Sequence, residues 1–126
     1  MLGWFSRNRQ EELEPLSFSV LKTDIHSHLI PGIDDGSPDM ETTISLIQEM
    51  QNLGFSKLIT SPHVMSDFYR NSSQTILEGL TDVRAELKSR NIDVDIEACA
   101  EYYIDYDFEQ KTLINKLNSK SYEIRK

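Results

Sequence analysis

"DIHSHLIPGIDDG", residues 24–36, is the stretch from which the fold and the chemistry of this chain can be predicted. It places two histidines and three aspartates among apolar residues, one proline and two glycines. Imidazole and carboxylate groups are common metal ligands, and clustered proline, glycine and aspartate are typical of turns. The stretch therefore predicts a strand end and a tight turn, both carrying side chains that can bind a metal.

The residues that lead into this stretch favour a strand. "SFSVLKTDI", residues 17–25, alternates in polarity and contains enough β-branched residues for a strand. His26 and His28 then lie two positions apart at its end, so both imidazoles point to one side, about 7 Å apart at the backbone. An H-x-H pair also occurs as ordinary polar residues at a strand end, so a metal site requires further ligands nearby.

Helices and strands alternate along the rest of the chain. The predicted elements after the first strand are a helix over 40–53, a strand over 55–61, a helix over 73–90, a strand over 92–100 and a helix from about Tyr106 to Leu117. Asp39 is the expected N-cap of the first helix, and Gly54 is expected to end it. The order β-α-β-α-β-α predicts an α/β fold with a parallel sheet and right-handed crossovers.

Further metal-capable residues follow the other predicted strands. His63 comes directly after the second strand and Glu101 directly after the third. In parallel α/β folds the carboxyl ends of the strands meet at one edge, where active sites form. Together with His26 and His28 they predict a metal site, and nitrogen and oxygen ligands without thiolate suit manganese, iron, zinc or cobalt.

The acidic neighbours have separate interpretations. Asp34 and Asp35 are consecutive, so one is expected to be a ligand and the other to form the turn or support a ligand. Asp105 and Asp107 follow the third strand and are expected to be acids at a helix N-terminus.

Aromatic and basic residues near the predicted site are weaker candidates. Tyr69 and Arg70 follow His63 in a loop and could meet a substrate, although exposed loop residues are the commoner interpretation. Tyr102 and Tyr103 are expected to pack against or line the site.

The composition of the chain restricts its possible partners and its cellular compartment. The formal charge of −8 argues against nucleic acid as the main partner. Cys99, the single cysteine, suits a cytoplasmic protein and is expected to be a small buried strand residue, since no C-x5-R phosphatase loop follows it. We expect neither a membrane span nor a signal peptide, and residues 1–16 are expected to be a flexible leader.

Three motifs in order, "DIHSHLIPGIDDG", "LITSPH" and "EACAEYY", resemble the polymerase and histidinol phosphatase (PHP) family. The resemblance is closest to the metal-dependent protein-tyrosine phosphatases of bacterial capsule and exopolysaccharide synthesis. It implies a distorted (β/α)7, TIM-like barrel with up to three Mn-, Fe- or Zn-type ions, manganese being favoured. It also implies His26, His28, Asp35, His63 and Glu101 as metal ligands, and favours Asp35 over Asp34.

The resemblance also sets what is expected of the chain as a whole. Family members are about twice as long and supply further histidines and an Asp-x-His, so residues 17–126 are expected to be the N-terminal half of a PHP domain, completed by a C-terminal half or by another chain in an oligomer. The implied function is hydrolysis of phosphotyrosine on a bacterial tyrosine autokinase. The alternatives are a phosphatase for a small phosphate monoester of the histidinol phosphate type, and a non-catalytic remnant or binding module.

Overall fold

A computed structural model describes residues 17–108 of the chain. The elements are β1 (Thr23–Ser27), α1 (Met40–Asn52), β2 (Lys57–Thr60), β3 (His63–Val64), α2 (Ser73–Ser89), β4 (Asp95–Ala98) and β5 (Glu101–Tyr102). Strands β1, β2 and β4 form one parallel sheet in the order β1-β2-β4, and β3 pairs with β5 in a second parallel sheet. The predicted α/β fold with a parallel sheet is confirmed.

The two helices begin and end close to where their sequence patterns predict. The Asp39 carboxylate accepts a hydrogen bond from the Thr42 amide at 2.8 Å, which caps α1. After α1, Gly54 adopts a φ of +105°, and a Cβ there would lie 2.6 Å from the Ser19 amide nitrogen. Only glycine fits this helix end without displacing the chain.

Both helices pack their apolar stripes on the same face of the sheet. Leu58 of β2 and Ile96 of β4 are neighbours in register and are buried. In the strand order β1-β2-β4, each later strand lies on the same side of the one before it. Right-handed crossovers between these parallel strands therefore place α1 and α2 on the same face of the sheet. The helix residues that complete this core are Ile44, Ile47, Ile76, Leu80, Val83 and Leu87.

The prediction of a first strand over 17–25 is wrong in its position. Residues before Thr23 form a turn instead: the Leu21 amide donates to the Phe18 carbonyl at 2.8 Å, and Lys22 has a φ of +60°. The alternating polarity fitted a strand, but local hydrogen bonds bend the chain there. The strand therefore contains His26 and ends just before His28.

Smaller differences concern the ends of the other elements. The third strand is shorter than predicted, so Cys99 lies after β4, half-buried and outside the strand. The short strands β3 and β5 were not predicted. Residues 106–108 are helical, and the rest of the helix expected to reach Leu117 lies outside the described residues, as does the expected leader over 1–16.

Residues 17–108 include no helix long and apolar enough to cross a membrane. Their main sheet has three strands and is open, so the barrel implied by the resemblance stays a prediction.

Candidate metal centre

His26 and His28 reach the rim of the sheet at the end of β1. Their ring centroids lie 5.5 Å apart. The buried hydroxyl of Thr60 fixes the backbone on both sides of His28, because it donates to the Ser27 carbonyl and accepts from the Leu29 amide, each at 2.9 Å. A threonine in the neighbouring strand therefore holds the backbone at His28, the second histidine of the H-x-H pair.

The second small sheet brings His63 to Glu101. These residues are partners in the parallel register of β3 and β5. The pairing carries His63 beyond the end of β2, towards the histidines of β1. Its ring centroid lies 4.5 Å from that of His28.

The Glu101 carboxylate lies at the centre of the three imidazoles. Its Oε2 atom is 3.4 Å from His26 Nε2, 3.4 Å from His28 Nε2 and 3.3 Å from His63 Nδ1. This oxygen is buried, and within residues 17–108 it has no partner in hydrogen-bonding geometry. A buried carboxylate oxygen without a hydrogen bond is costly, so its surroundings need a compensating positive charge.

These spacings fit a divalent cation. Two ligands about 2.1 Å from a common ion, at tetrahedral or octahedral angles, lie about 3.0–3.4 Å from each other. The ligand atoms form two groups, His26–His28–Glu101 and His28–Asp35–His63, and within each group they lie within 4.8 Å of one another. His28 belongs to both groups.

Asp34 and Asp35 differ sharply in exposure. The Asp35 side chain is 63% exposed, and its Oδ1 lies 3.2 Å from His63 Nε2. The Asp34 side chain is 0% exposed and contacts His28 Nδ1 at 2.8 Å. Burial raises the pKa of Asp34, but hydrogen bonds from His28 and from the amides of Gly36 and His63 outweigh it, so that its pKa lies below the ordinary value of 3.8.

A cleft of about 430 Å³ opens beside His63 and Glu101. The Tyr69 ring forms one wall and stacks on His63, with ring centroids 5.6 Å apart and planes 14° apart. The other lining residues are Asp35, Met65, Tyr102 and Tyr103.

Arg70, the neighbour of Tyr69 in sequence, lies elsewhere. Its Nε donates to the Ser66 carbonyl at 2.7 Å, and it lines a separate cleft of about 590 Å³ with Asp67, Asp105 and Asp107. The structure therefore places Tyr69 at the histidine cluster and Arg70 outside it.

Asp105 and Cys99 have structural surroundings. Asp105 Oδ1 accepts from the amides of Asp107 and Phe108, as expected for an acid at a helix N-terminus, and its Oδ2 accepts from the Ser66 amide at 2.7 Å. Desolvation raises the pKa of the Cys99 thiol above 9.0.

Sequence reasoning missed two residues that support the site. Thr60 has the role described above, and Asn71 Nδ2 donates to the Ile33 carbonyl at 2.8 Å and to the His63 carbonyl at 2.9 Å. Asn71 thus joins the turn after β1 to β3. Neither residue type stands out in its segment, since threonine is common in strands and asparagine in loops.

Curated proteins with similar sequences are named tyrosine-protein phosphatases. CpsB of Streptococcus agalactiae serotype V is 26% identical over 94 residues, 75% of this chain and 39% of that protein. YwqE of Bacillus subtilis is 26% identical over 102 residues, 79% of this chain and 40% of that protein. CpsB of Streptococcus pneumoniae is 28% identical over 88 residues, 70% of this chain and 36% of that protein. The chain thus spans about two fifths of the length of these relatives.

A solved structure shares the fold. It comes from crystal structures of YwqE from B. subtilis and CpsB from S. pneumoniae, described as unique metal-dependent tyrosine phosphatases. The match has a TM-score of 0.67 and 25% identity, and covers 75% of this chain and 38% of that chain. Residues 22–123 also match the model of the family described as capsular polysaccharide synthesis, CpsB/CapC. That match covers most of the sequence, and the chain belongs to the CpsB/CapC family.

Proposed function

We propose that this chain carries metal-binding residues of a phosphoesterase that hydrolyses phosphotyrosine in proteins. The observation that supports this most strongly is the Glu101 Oε2 atom, buried, without a hydrogen bond in the described part of the chain, and 3.3–3.4 Å from nitrogens of three imidazoles. A carboxylate in this position could hold a divalent cation together with the imidazoles. The proposed ligands are His26, His28, Asp35, His63 and Glu101.

The donor set favours hard or borderline ions. Three imidazoles and two carboxylates, with no thiolate, suit manganese, and also iron, zinc or cobalt. When bound, such ions act as Lewis acids towards a phosphoryl group and promote attack by water. The protein's own contribution is to hold the backbone around His28 and His63 in place before any ion arrives, through Thr60 and Asn71.

The lining of the neighbouring cleft supports an aryl phosphate as substrate. Tyr69, Tyr102, Tyr103 and Met65 line a space that opens onto Asp35, His63 and Glu101. A phenyl ring gains from stacking and apolar contact with such walls, whereas a small polar alcohol gains little. The names of the relatives agree with this substrate class. Within it, we propose a bacterial tyrosine autokinase of exopolysaccharide synthesis as the protein substrate, on the family resemblance.

Tyr69 is the proposed contact for the substrate ring. We propose Arg70 as a more distant contact for the polypeptide on either side of the phosphotyrosine. Arg70 lines the cleft of about 590 Å³, which shares Met65 with the cleft beside His63.

The test is a phosphatase assay of the purified 126-residue chain with Mn²⁺. The substrates are a phosphotyrosine peptide, p-nitrophenyl phosphate and histidinol phosphate, and metal content is measured on the same samples. We expect Mn²⁺-dependent release of phosphate from the two aryl substrates and little from histidinol phosphate.

A Glu49→Gln variant is the control, since Glu49 is an exposed residue of α1 away from the cluster. Preference for histidinol phosphate would contradict the proposed substrate class. Absence of both bound metal and activity would indicate the non-catalytic alternative for this chain.

A further inference from the structure

The turn after β1 carries a buried carboxylate that contacts the end of β1, the start of β3 and the turn itself. Asp34 Oδ2 lies 2.8 Å from His28 Nδ1 and accepts from the His63 amide at 3.0 Å. Its Oδ1 accepts from the Gly36 amide at 3.0 Å. The side chain is 0% exposed, although the adjacent Asp35 is 63% exposed.

We propose that Asp34 is a positioning residue, which holds His28 in the tautomer that leaves Nε2 free to bind a metal and fixes His28 relative to His63. This inference rests on the proposed function, because it assigns a purpose to the orientation of two proposed ligands. It places Asp34 outside the set of ligands.

The contact with Asp34 fixes which nitrogen of His28 carries the proton. An ionised carboxylate only accepts hydrogen bonds, so the short contact with Asp34 requires the proton on Nδ1 of His28. In the neutral ring the lone pair is then on Nε2, the nitrogen that lies 3.4 Å from Glu101 Oε2. A carboxylate behind a ligating histidine is the usual device for orienting the ring and raising its basicity.

Asp34 also fixes the distance between His28 and His63. One oxygen of Asp34 contacts both the His28 ring and the backbone of His63, so it joins the end of β1 to the start of β3. The ring centroids of these two histidines are 4.5 Å apart. Loss of this shared acceptor would remove the hydrogen bond that orients the His28 ring and the one that ties the His63 amide to it, although Thr60 and Asn71 would still hold the two backbones.

The turn packs closely on His28. A Cβ built at Gly36 would collide with His28 Cβ, and the Ser37 amide donates to the His28 carbonyl at 3.1 Å. The turn thus folds back directly over His28. This brings Asp34, and not the exposed Asp35, behind the ring.

Asparagine cannot replace Asp34 in this arrangement. If its carbonyl oxygen faces His28 and the His63 amide, its NH₂ group faces the Gly36 amide, donor against donor. If the group is reversed, its NH₂ faces the His63 amide and favours the other tautomer of His28, with the proton on Nε2. Either orientation leaves at least one backbone amide without an acceptor.

The test uses the full chain in two measurements. The tautomer of His28 is read in the metal-free wild type from ¹⁵N–¹H correlation spectra of the imidazole nitrogens. Mn²⁺ affinity is then measured from the EPR signal of the free ion for wild type, Asp34→Asn and Asp39→Asn. Asp39→Asn is the matched control, because it removes one charge at the other end of the same turn and asparagine is an equally good N-cap for α1.

We expect the proton of His28 on Nδ1 in the wild type, and an affinity for Mn²⁺ about 10- to 100-fold weaker in Asp34→Asn with no such loss in Asp39→Asn. A wild-type His28 with its proton on Nε2 would overturn the proposal, and this result needs no variant to fold. Equal Mn²⁺ affinities in wild type and Asp34→Asn would also overturn it. If the wild type binds no Mn²⁺, the proposed function fails, while the tautomer still decides the role of Asp34.

Discussion

At the scale of single residues, His28 has a different position in the site from His26. Both come from the same motif, but His28 belongs to both groups of potential ligands and His26 to only one. His28 is also the ring held from behind by Asp34. The two histidines should therefore contribute unequally to metal binding.

This difference gives a direct prediction. His28→Ala should remove bound Mn²⁺ almost completely and abolish any phosphatase activity, because whichever of the two groups holds the ion then lacks one of its ligands. His26→Ala should retain binding at the His28–Asp35–His63 group. Metal content per chain, measured after equilibration with Mn²⁺, distinguishes the two variants, and circular dichroism checks that both remain folded. An equal loss of bound Mn²⁺ in both variants would contradict the claim that His28 belongs to both groups of ligands and His26 to only one.

Tyr69 provides a second prediction at this scale. If its ring holds the phenyl group of the substrate, Tyr69→Ala should raise KM for p-nitrophenyl phosphate by about 3- to 10-fold, the equivalent of about 0.5–1.5 kcal/mol of aromatic contact. Phe68→Ala is the control, since that neighbouring ring is 79% exposed and does not line the cleft. An unchanged KM in Tyr69→Ala would remove Tyr69 from the substrate site.

Four of the proposed ligands could be predicted from the sequence, but the choice between the two aspartates of the turn could not. His26, His28, His63 and Glu101 could be assigned to one rim, because each lies at or just after a predicted strand. The choice between Asp34 and Asp35 could not be made from spacing, since consecutive residues in a turn give no periodic signal. Their exposure depends on how the turn folds back on His28, which is a tertiary contact.

At the scale of elements, the helices were predictable and the short strands were not. Ile76, Leu80, Val83 and Leu87 recur at helical spacing, and all four are buried. Strands of two residues such as β3 and β5 are too short to leave a pattern in sequence. Their pairing depends on how the ends of β2 and β4 are placed, yet it is what brings His63 to Glu101.

The packing of α1 on the sheet can be tested by one substitution. Ile47 is 0% exposed in the core, so Ile47→Ala should lower the free energy of unfolding by about 2–5 kcal/mol. Leu46→Ala should cost clearly less, because Leu46 is 42% exposed on the same helix. Chemical denaturation of both variants measures the difference. Similar losses would contradict the assigned orientation of α1.

Asp105 links the loop before α2 to the turn after β5, and this link should depend on pH. Hydrogen bonds from the amides of Ser66, Phe108 and Asp107 hold the pKa of Asp105 below its ordinary value of 3.8. A carboxyl with a depressed pKa stabilises the fold above its unfolded-state pKa, and this contribution is lost as pH falls through the folded-state value.

The prediction concerns the difference in Tm between wild type and Asp105→Asn. Wild type should be more stable at pH 6, and the difference should shrink as the pH falls below 3.8. Thermal unfolding followed from pH 6 to pH 3 checks this. A difference that grows on acidification would contradict the assigned role of Asp105.

At the scale of the whole molecule, residues 17–108 pack their two helices on one face of a small parallel sheet. The helices cover one face, while the other carries Lys57, which forms ion pairs with Asp95 at 3.2 Å and Glu97 at 2.8 Å. The histidine cluster lies at the carboxyl ends of the strands, as expected for an α/β protein. The net charge of −8 favours binding of cations and disfavours phosphate, so under the proposed function the ions would have to bind before a phosphorylated substrate is attracted.

The central claim is that Glu101 and the imidazoles around it form a divalent metal centre in this chain. Calorimetric titration of the 126-residue chain with Mn²⁺, compared with Glu101→Gln and the surface control Glu49→Gln, tests it most directly. We predict measurable binding by the wild type and by Glu49→Gln, and a Kd at least about tenfold higher in Glu101→Gln. No binding by the wild type, or an unchanged Kd in Glu101→Gln, would contradict the claim.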